Sequence, residues 1–261
     1  MKILALDSSG LVASVAVVED DVLIGEYTVN YKKTHSQTLL PMLQALKDMV
    51  ELDLGTVDAI ALAAGPGSFT GLRIGSATAK GLGLALNLPL VEVPTVDGLA
   101  YNLYGTDKLV CPIMDARRNQ VYTGIYEFVR ENGTDTKDDA DAEGGYRMQT
   151  LTSQCAVDIS VILDKLDSLG REVIFLGDGV PVFRERIAQK LHVPYSFAPA
   201  HCNRQRAASV AVLGGVYYQA GRTVTAEEHQ PEYLRMSQAE RERMEQEQGQ
   251  PGQDDTGKAC V

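Results

Sequence analysis

An apolar run that stops at an aspartate occurs twice in this chain, and each time further strand-like segments follow. Residues 2–6 end at Asp7-Ser8-Ser9-Gly10, and residues 109–114 end at Asp115-Ala116-Arg117-Arg118. Short apolar runs closed by polar turn residues read as buried strands. After the first turn come strands over 12–18 and 22–27, then a helix whose Leu39, Leu40, Leu43, Leu46 and Val50 share a stripe. Pro41 is expected in that helix's first turn, where proline is tolerated. A strand over 59–64, a glycine-rich loop, a helix over 68–86, a strand over 90–93 and a helix opened by Pro94 and reaching residue 104 complete this half. After the second turn the pattern predicts strands over 121–129 and 147–151, a helix over 156–169 and a strand over 173–176. Gly177-Asp178-Gly179 then turns into a helix over 182–191, and a strand over 195–198 precedes a last helix over 205–219, with Gly221 as its C-cap. The fold class is α/β, in an N-terminal lobe over 1–107 and a C-terminal lobe over 108–236. On the pattern alone, two unrelated α/β units fit as well as a duplicated one.

Two stretches depart from globular composition. Residues 130–147 carry Asp135, Asp138, Asp139, Asp141 and Glu143 among glycines and read as a mobile acidic loop. Residues 237–261 are charged and polar without an apolar face, and are expected to be a disordered tail. No run approaches the about 20 apolar residues of a membrane helix, and the N-terminus lacks a signal-peptide pattern, so a cytoplasmic location is expected. Cys111, Cys155, Cys202 and Cys260 are scattered without C-x-x-C spacing, which predicts free thiols rather than a disulfide framework or a structural zinc site. The net charge of −11 excludes strong RNA binding by this chain alone, because phosphate neutralisation by clustered Lys and Arg dominates such affinity.

The segment Gly65-Pro66-Gly67-Ser68-Phe69-Thr70-Gly71-Leu72-Arg73-Ile74-Gly75 follows a strand and opens a helix, where exposed N–H groups attract anions. It matches neither a Walker A loop nor a dinucleotide fingerprint. Glycine inside a helix costs about 1 kcal/mol relative to alanine. Gly71, Gly75, Ala79 and Gly83 therefore need a reason, and at four-residue spacing they form a smooth strip that another backbone approaches closely. Packing against the chain's own sheet and contact with a second subunit both fit such a strip. Asp7-Ser8-Ser9-Gly10 fits either an ordinary turn or a phosphate-binding turn of small residues, with Asp115 at the equivalent place in the second half. His35 has Leu39 four residues on rather than a second histidine, so no metal site is expected. No Ser-His-Asp arrangement is visible.

Taken in order, residues 3–9, the His35-Ser36-Gln37 helix start, the 65–75 segment, Asp115-Ala116-Arg117-Arg118 with Val121-Tyr122, and Pro231-Glu232-Tyr233-Leu234-Arg235 resemble the TsaB (YeaZ-type) family over residues 1–235. The resemblance implies an actin-like ATPase (ribonuclease H-like) fold of two related lobes. It also implies a part in making N6-threonylcarbamoyladenosine beside the anticodon of tRNAs that read codons starting with A. In that pathway a paralogue, TsaD, transfers the threonylcarbamoyl group using a metal held by a His-x-x-x-His pair, and an ATPase, TsaE, joins the complex. This chain is then expected to be a required but non-catalytic dimerisation subunit, with ATP or ADP and the metal in partner subunits or at a shared interface. It would reach tRNA only through the complex, and self-association as a two-fold pair is open when it is alone. The expected pairing surface is Gly71, Arg73, Ile74, Gly75 and Ala79 with Leu39, Leu43 and Leu46; Asp7, Ser8, Ser9, Gly10 and Asp115 are candidate vestigial nucleotide-binding residues. The competing readings are a stand-alone actin-like kinase or ATPase, which Arg117 in the second turn argues against, and a peptidase, which the missing histidine argues against.

Overall fold

The computed structural model describes residues 1–131 and 145–235. The first half folds as β1 (Lys2–Asp7), β2 (Ala13–Glu19), β3 (Val22–Val29), α1 (His35–Met49), β4 (Ala59–Gly65), α2 (Phe69–Leu86), β5 (Leu90–Pro94) and α3 (Thr95–Ala100). The second half follows as β6 (Leu109–Asp115), β7 (Gln120–Arg130), β8 (Tyr146–Asp158), α4 (Ile159–Leu169), β9 (Val173–Leu176), α5 (Val180–Lys190), β10 (Tyr195–Phe197) and α6 (Ala207–Gln219). One sheet has the order β3-β2-β1-β4-β5 and the other β8-β7-β6-β9-β10. Strand for strand these are the same topology, each with two antiparallel pairings followed by two parallel ones. The alternative of two unrelated units left open by the sequence pattern is thereby removed.

Both faces of the central strands of each sheet are covered, which explains why β1, β4 and β6 are apolar throughout rather than alternating. Successive side chains of β1 point to opposite sides. Leu4 and Leu6 pack with Leu39, Leu43 and Leu46 of α1 and Ala79 of α2. Ile3 and Ala5 face the other way, onto Ala207, Val210 and Ala211 of α6. The second sheet is covered on one side by α4 and α5, through Ile162, Leu166, Phe183 and Ile187. Its other side meets Val96, Leu99 and Ala100 of α3. The two lobes thus share helices: α3 packs between the sheets, covering the second while still touching β4 and β5 of the first, and α6 leaves the second sheet to cover the first. This sharing fixes the lobes side by side, with their two acidic turns facing a common cleft.

Some local expectations change. Pro41 lies inside α1 rather than in its first turn, because the helix already begins at His35. The carbonyl that Pro41 leaves without a donor belongs to Gln37, an exposed residue. β8 runs on through Ala156, which was expected to open a helix; α4 starts at Ile159 behind the Asp158 cap. The ends of the 130–147 loop belong to strands, since β7 reaches Arg130 and β8 starts at Tyr146. The acidic residues between them, and the 237–261 tail, lie outside the described residues. Cys111 and Cys202 are free and buried, as expected. The expectation of a free thiol fails at Cys155, which is disulfide-bonded. Among the described residues no helix is long and apolar enough to cross a membrane.

Candidate functional site

Asp7 and Asp115 close equivalent strands and build their turns in the same way. The Asp7 carboxylate accepts from the backbone N–H of Ser9 at 2.9 Å and from its hydroxyl at 2.6 Å. The Asp115 carboxylate accepts from the backbone N–H of Arg117 at 2.8 Å and from its guanidinium at 3.1 Å. Both are turns in which the acid folds back onto the residue two positions on. Their surroundings differ. Asp7 is buried, and desolvation pushes its carboxyl up to about 6, against the opposing hydrogen bonds from Ser9. Asp115 is partly exposed, and its turn continues through Arg117, Arg118 and Asn119 with φ of 64°, 55° and 62°. These are non-glycine residues in the left-handed region, which is disfavoured for a side chain.

The glycines of α2 are explained by the first turn. A Cβ on Gly71 would lie 2.1 Å from the Ser8 carbonyl oxygen, one on Gly75 2.5 Å from the Ser8 hydroxyl, and one on Gly67 2.3 Å from the Ser9 carbonyl. The Ser8 hydroxyl donates to the Gly71 carbonyl at 2.8 Å, and the Ser68 N–H donates to the Ser9 carbonyl at 2.7 Å. The smooth strip therefore admits this chain's own backbone. That corrects the pairing surface expected from the spacing. Gly71 and Gly75 are covered by the first turn, while Ala79, Leu39, Leu43 and Leu46 lie in the core between α1, α2 and the sheet. Arg73 is exposed and Ile74 partly exposed. Behind the first turn, His35 shares a 2.8 Å hydrogen bond between Nε2 and the Gly10 carbonyl. The amide of Gln205 presses on Gly10 so closely that a Cβ there would meet it at 2.6 Å. Among the described residues no three His, Cys, Asp or Glu side chains group as a metal site would require.

A cleft of about 390 Å³ lies between the lobes. Ser9, Gly10, Gly67, Ser68 and Phe69 line it from the first lobe; Asp115, Ala116, Arg117, Tyr122 and Asp178 line it from the second. The structure thus brings together Ser9, Gly10 and Asp115 from the candidate nucleotide residues, while Asp7 and Ser8 form the buried footing beneath them. Asp178, read from sequence only as a turn residue, accepts a hydrogen bond from the Asp115 backbone, and burial raises its carboxyl pKa. The cleft also has a wall that spacing did not reveal. After α6 the chain returns across the first lobe, and Tyr233, Leu234 and Arg235 lie over the opening. Tyr233 stacks on Phe69 with ring centroids 4.6 Å apart. Arg73 lies 3.9 Å over the Phe69 ring and donates to the Tyr233 hydroxyl at 3.3 Å. Arg235 donates to the carbonyls of Ala116 and Arg117 in the second turn. The aromatic and basic residues of this five-residue motif were its only signal. In size the cleft falls in the small-ligand range of about 300–1,000 Å³. For a nucleotide, however, the turn amides of Ser9 and Arg117 are already engaged by their own aspartates, and Arg235 lies against the Ala116 and Arg117 carbonyls of the second turn. With residues 233–235 in this position the site does not fit a nucleotide.

Comparison with known proteins agrees with the geometry. The model of the family described as "TsaD: tRNA N6-adenosine threonylcarbamoyltransferase" matches residues 23–243. The tRNA threonylcarbamoyladenosine biosynthesis protein TsaB of Bacillus subtilis (strain 168) is 32% identical over 246 residues, covering 92% of this chain and 96% of its own length. The protein of the same name from Escherichia coli (strain K12) is 35% identical over 130 residues, 49% of this chain and 55% of its own. Among solved structures, YeaZ from Pseudomonas aeruginosa superposes with a TM-score of 0.71 at 27% identity, over 89% of this chain and 99% of that one. A nearly end-to-end relative, a family match over most of the sequence and the repeated sheet topology together place this chain in the TsaB (YeaZ-type) family, with its actin-like fold of two related lobes.

Proposed function

We propose that this chain takes part in threonylcarbamoyladenosine formation on tRNA as the non-catalytic dimerisation subunit. In this reading it pairs with a TsaD-like paralogue that carries the chemistry, with a TsaE-like ATPase joining them, in the cytoplasm. The relatives' names support the pathway. The matched family model bears the transferase's name, so the division of labour must come from this chain's own residues. The observation that carries it is Leu39. It stands four residues after His35, where the resemblance places the catalytic partner's second metal ligand, and it is 0% exposed among the leucines of the sheet. An imidazole there would be buried in apolar surroundings, and His35 itself is engaged with Gly10. The acidic charge fits a subunit that leaves RNA to its partner. A stand-alone kinase or ATPase would need an open second turn, whereas Arg117 ties up the Asp115 carboxylate and Arg235 covers the carbonyls of this one.

The pairing face in this reading is the outer shoulder of α1 and α2, beside the buried strip rather than on it. Leu40, at 56% exposure, Arg73 and Ile74 are its candidates. Apolar groups at the centre of such a contact carry most of its free energy. Co-expressed with a TsaD-like paralogue, the chain should elute as a heterodimer, and Leu40→Asp should weaken pairing without lowering the melting temperature of the isolated chain. Failure of the wild type to pair would end the reading. Normal pairing by Leu40→Asp would move the face elsewhere.

A further inference from the structure

Charge is spread unevenly over this acidic chain. It carries 35 Asp and Glu residues, yet none lies from Tyr27 to Lys47 or from Ala59 to Val91. These two stretches hold nearly all of α1, the loop that leads into it, and the whole of α2. Their cations lack acidic partners. Lys2, Lys108, Arg171 and Arg206 each meet a carboxylate, whereas Lys32, Lys33, Lys47, Arg73 and Lys80 form no salt bridge among the described residues. Arg73 holds only a ring and a hydroxyl, and Lys80 only two backbone carbonyls.

The positive charge is least offset where the two helices begin. A Cβ on Gly71 would lie 3.3 Å from the His35 ring, so α1 and α2 start side by side. Exposed Lys32 and Lys33 directly precede α1, and exposed Arg73 lies in the second turn of α2. Leu40 and Ile74, in the second turns of their helices, put apolar surface next to these charges. At the far end the signs are mixed: Asp48 follows Lys47 in α1, and Glu227 and Glu228 lie beside Leu84 of α2.

We propose that Lys32, Lys33 and Arg73 make the pairing face selective by charge, admitting a paralogue whose facing surface carries carboxylates and opposing a second copy of this chain. The inference rests on the pairing face given under the proposed function and adds the chemistry of what that face accepts. A two-fold contact brings the same patch to both sides, and residues near its axis meet their own copies. With Leu40 and Ile74 at the centre, self-pairing would set Arg73 against Arg73 and bring the lysines of both copies to one contact. A carboxylate-bearing partner meets the same cations with attraction, so one set of charges favours the heterodimer and disfavours the homodimer. The apolar centre favours a protein over a nucleic-acid backbone as the occupant.

The test follows both equilibria by sedimentation, using the full-length chain alone and with the TsaD-like paralogue, as wild type and as Lys32→Gln/Lys33→Gln. Salt is set at about 0.1 and about 1 M, between which the screening length falls from about 10 to about 3 Å. Pairing with the paralogue should weaken at least about tenfold at high salt, and on the order of tenfold in the double variant at low salt. Self-association should respond in the opposite sense, absent at low salt in the wild type and stronger at high salt or in the double variant. Both lysines are exposed, so the double variant should melt with the wild type. Heteropairing indifferent to salt and to the double variant, or low-salt self-association that Leu40→Asp disperses, overturns the selection. Binding of the isolated chain to substrate tRNA that the double variant loses would assign these cations to RNA and overturn it too. A wild type that fails to pair under either condition ends the proposed function instead, and the self-association arm still decides whether like charge guards the face.

Discussion

The two acidic turns share a topology and a hydrogen-bonding scheme, yet one became a buried foundation and the other a partly exposed wall of the cleft. Asp7 sits beneath α2, whose glycines let the helix rest directly on the turn backbone. Asp115 is only partly exposed, on the cleft wall, and its turn is steadied by side chains instead: its own Arg117 and the distant Arg235. A repeated unit fixes where a turn lies and how its acid folds back. What packs against that turn decides whether it is buried or left partly open to the cleft.

That contrast is open to direct attack. The largest effect is expected at the buried turn: Gly71→Ala drives a methyl to 2.1 Å from the Ser8 carbonyl, so stability should fall by about 3 kcal/mol, read as a lower denaturant midpoint. Asp7→Asn comes next. The Asp7 pKa is raised from 3.8 to about 6 on folding, so the folded state holds the proton more tightly. Its stabilising contribution is present below the unfolded value and is lost as pH rises through about 6. Two pK units correspond to about 3 kcal/mol at the limit. The wild type should lose that much relative to Asp7→Asn between about pH 4 and 7, and parallel pH profiles would show that Asp7 is not the buried acid described here. At the exposed turn the sign reverses. Arg117→Gly relieves a left-handed φ of 64° and loses an ion pair whose arginine is 83% exposed, so a gain of about 1 kcal/mol is expected. The smallest effect belongs to Gly81→Ala on the open face of α2, where an added methyl meets nothing within 4 Å. It should raise stability by about 0.5 kcal/mol, where the same substitution at Gly71 is ruinous.

Much of this was legible in the chain before folding. Apolar runs ending at Asp7 and Asp115 marked the cores of both sheets, and the matching order of elements became the same strand order. The helix expected over 68–86 from the glycine-rich segment that opens it lies at Phe69–Leu86. The strip of small residues was found, but its occupant was not. Spacing says that a backbone approaches a helix and is silent on whose backbone it is; Ser8, sixty-three residues from Gly71, is a contact that only the closed fold supplies. The cleft wall formed by residues 233–235 escaped for a related reason. Tyr233 and Arg235 lack periodicity, and their meaning comes from Phe69, Arg73 and Ala116, brought to one rim by the sharing of α3 and α6 between lobes. Pro41 was misplaced because helix α1 starts at its histidine, and an exposed carbonyl tolerates a missing donor.

The central claim, that this chain supports the chemistry of a partner rather than performing it, meets its most direct test in a reconstituted tRNA modification assay. Purified chain, a TsaD-like paralogue and a TsaE-like ATPase are combined with threonylcarbamoyl-adenylate and substrate tRNA, each protein being omitted in turn. The account predicts modified adenosine only when this chain and the paralogue are both present, and full activity with His35→Ala in this chain. Modification by this chain without the paralogue, or its loss in His35→Ala with pairing intact, would contradict it.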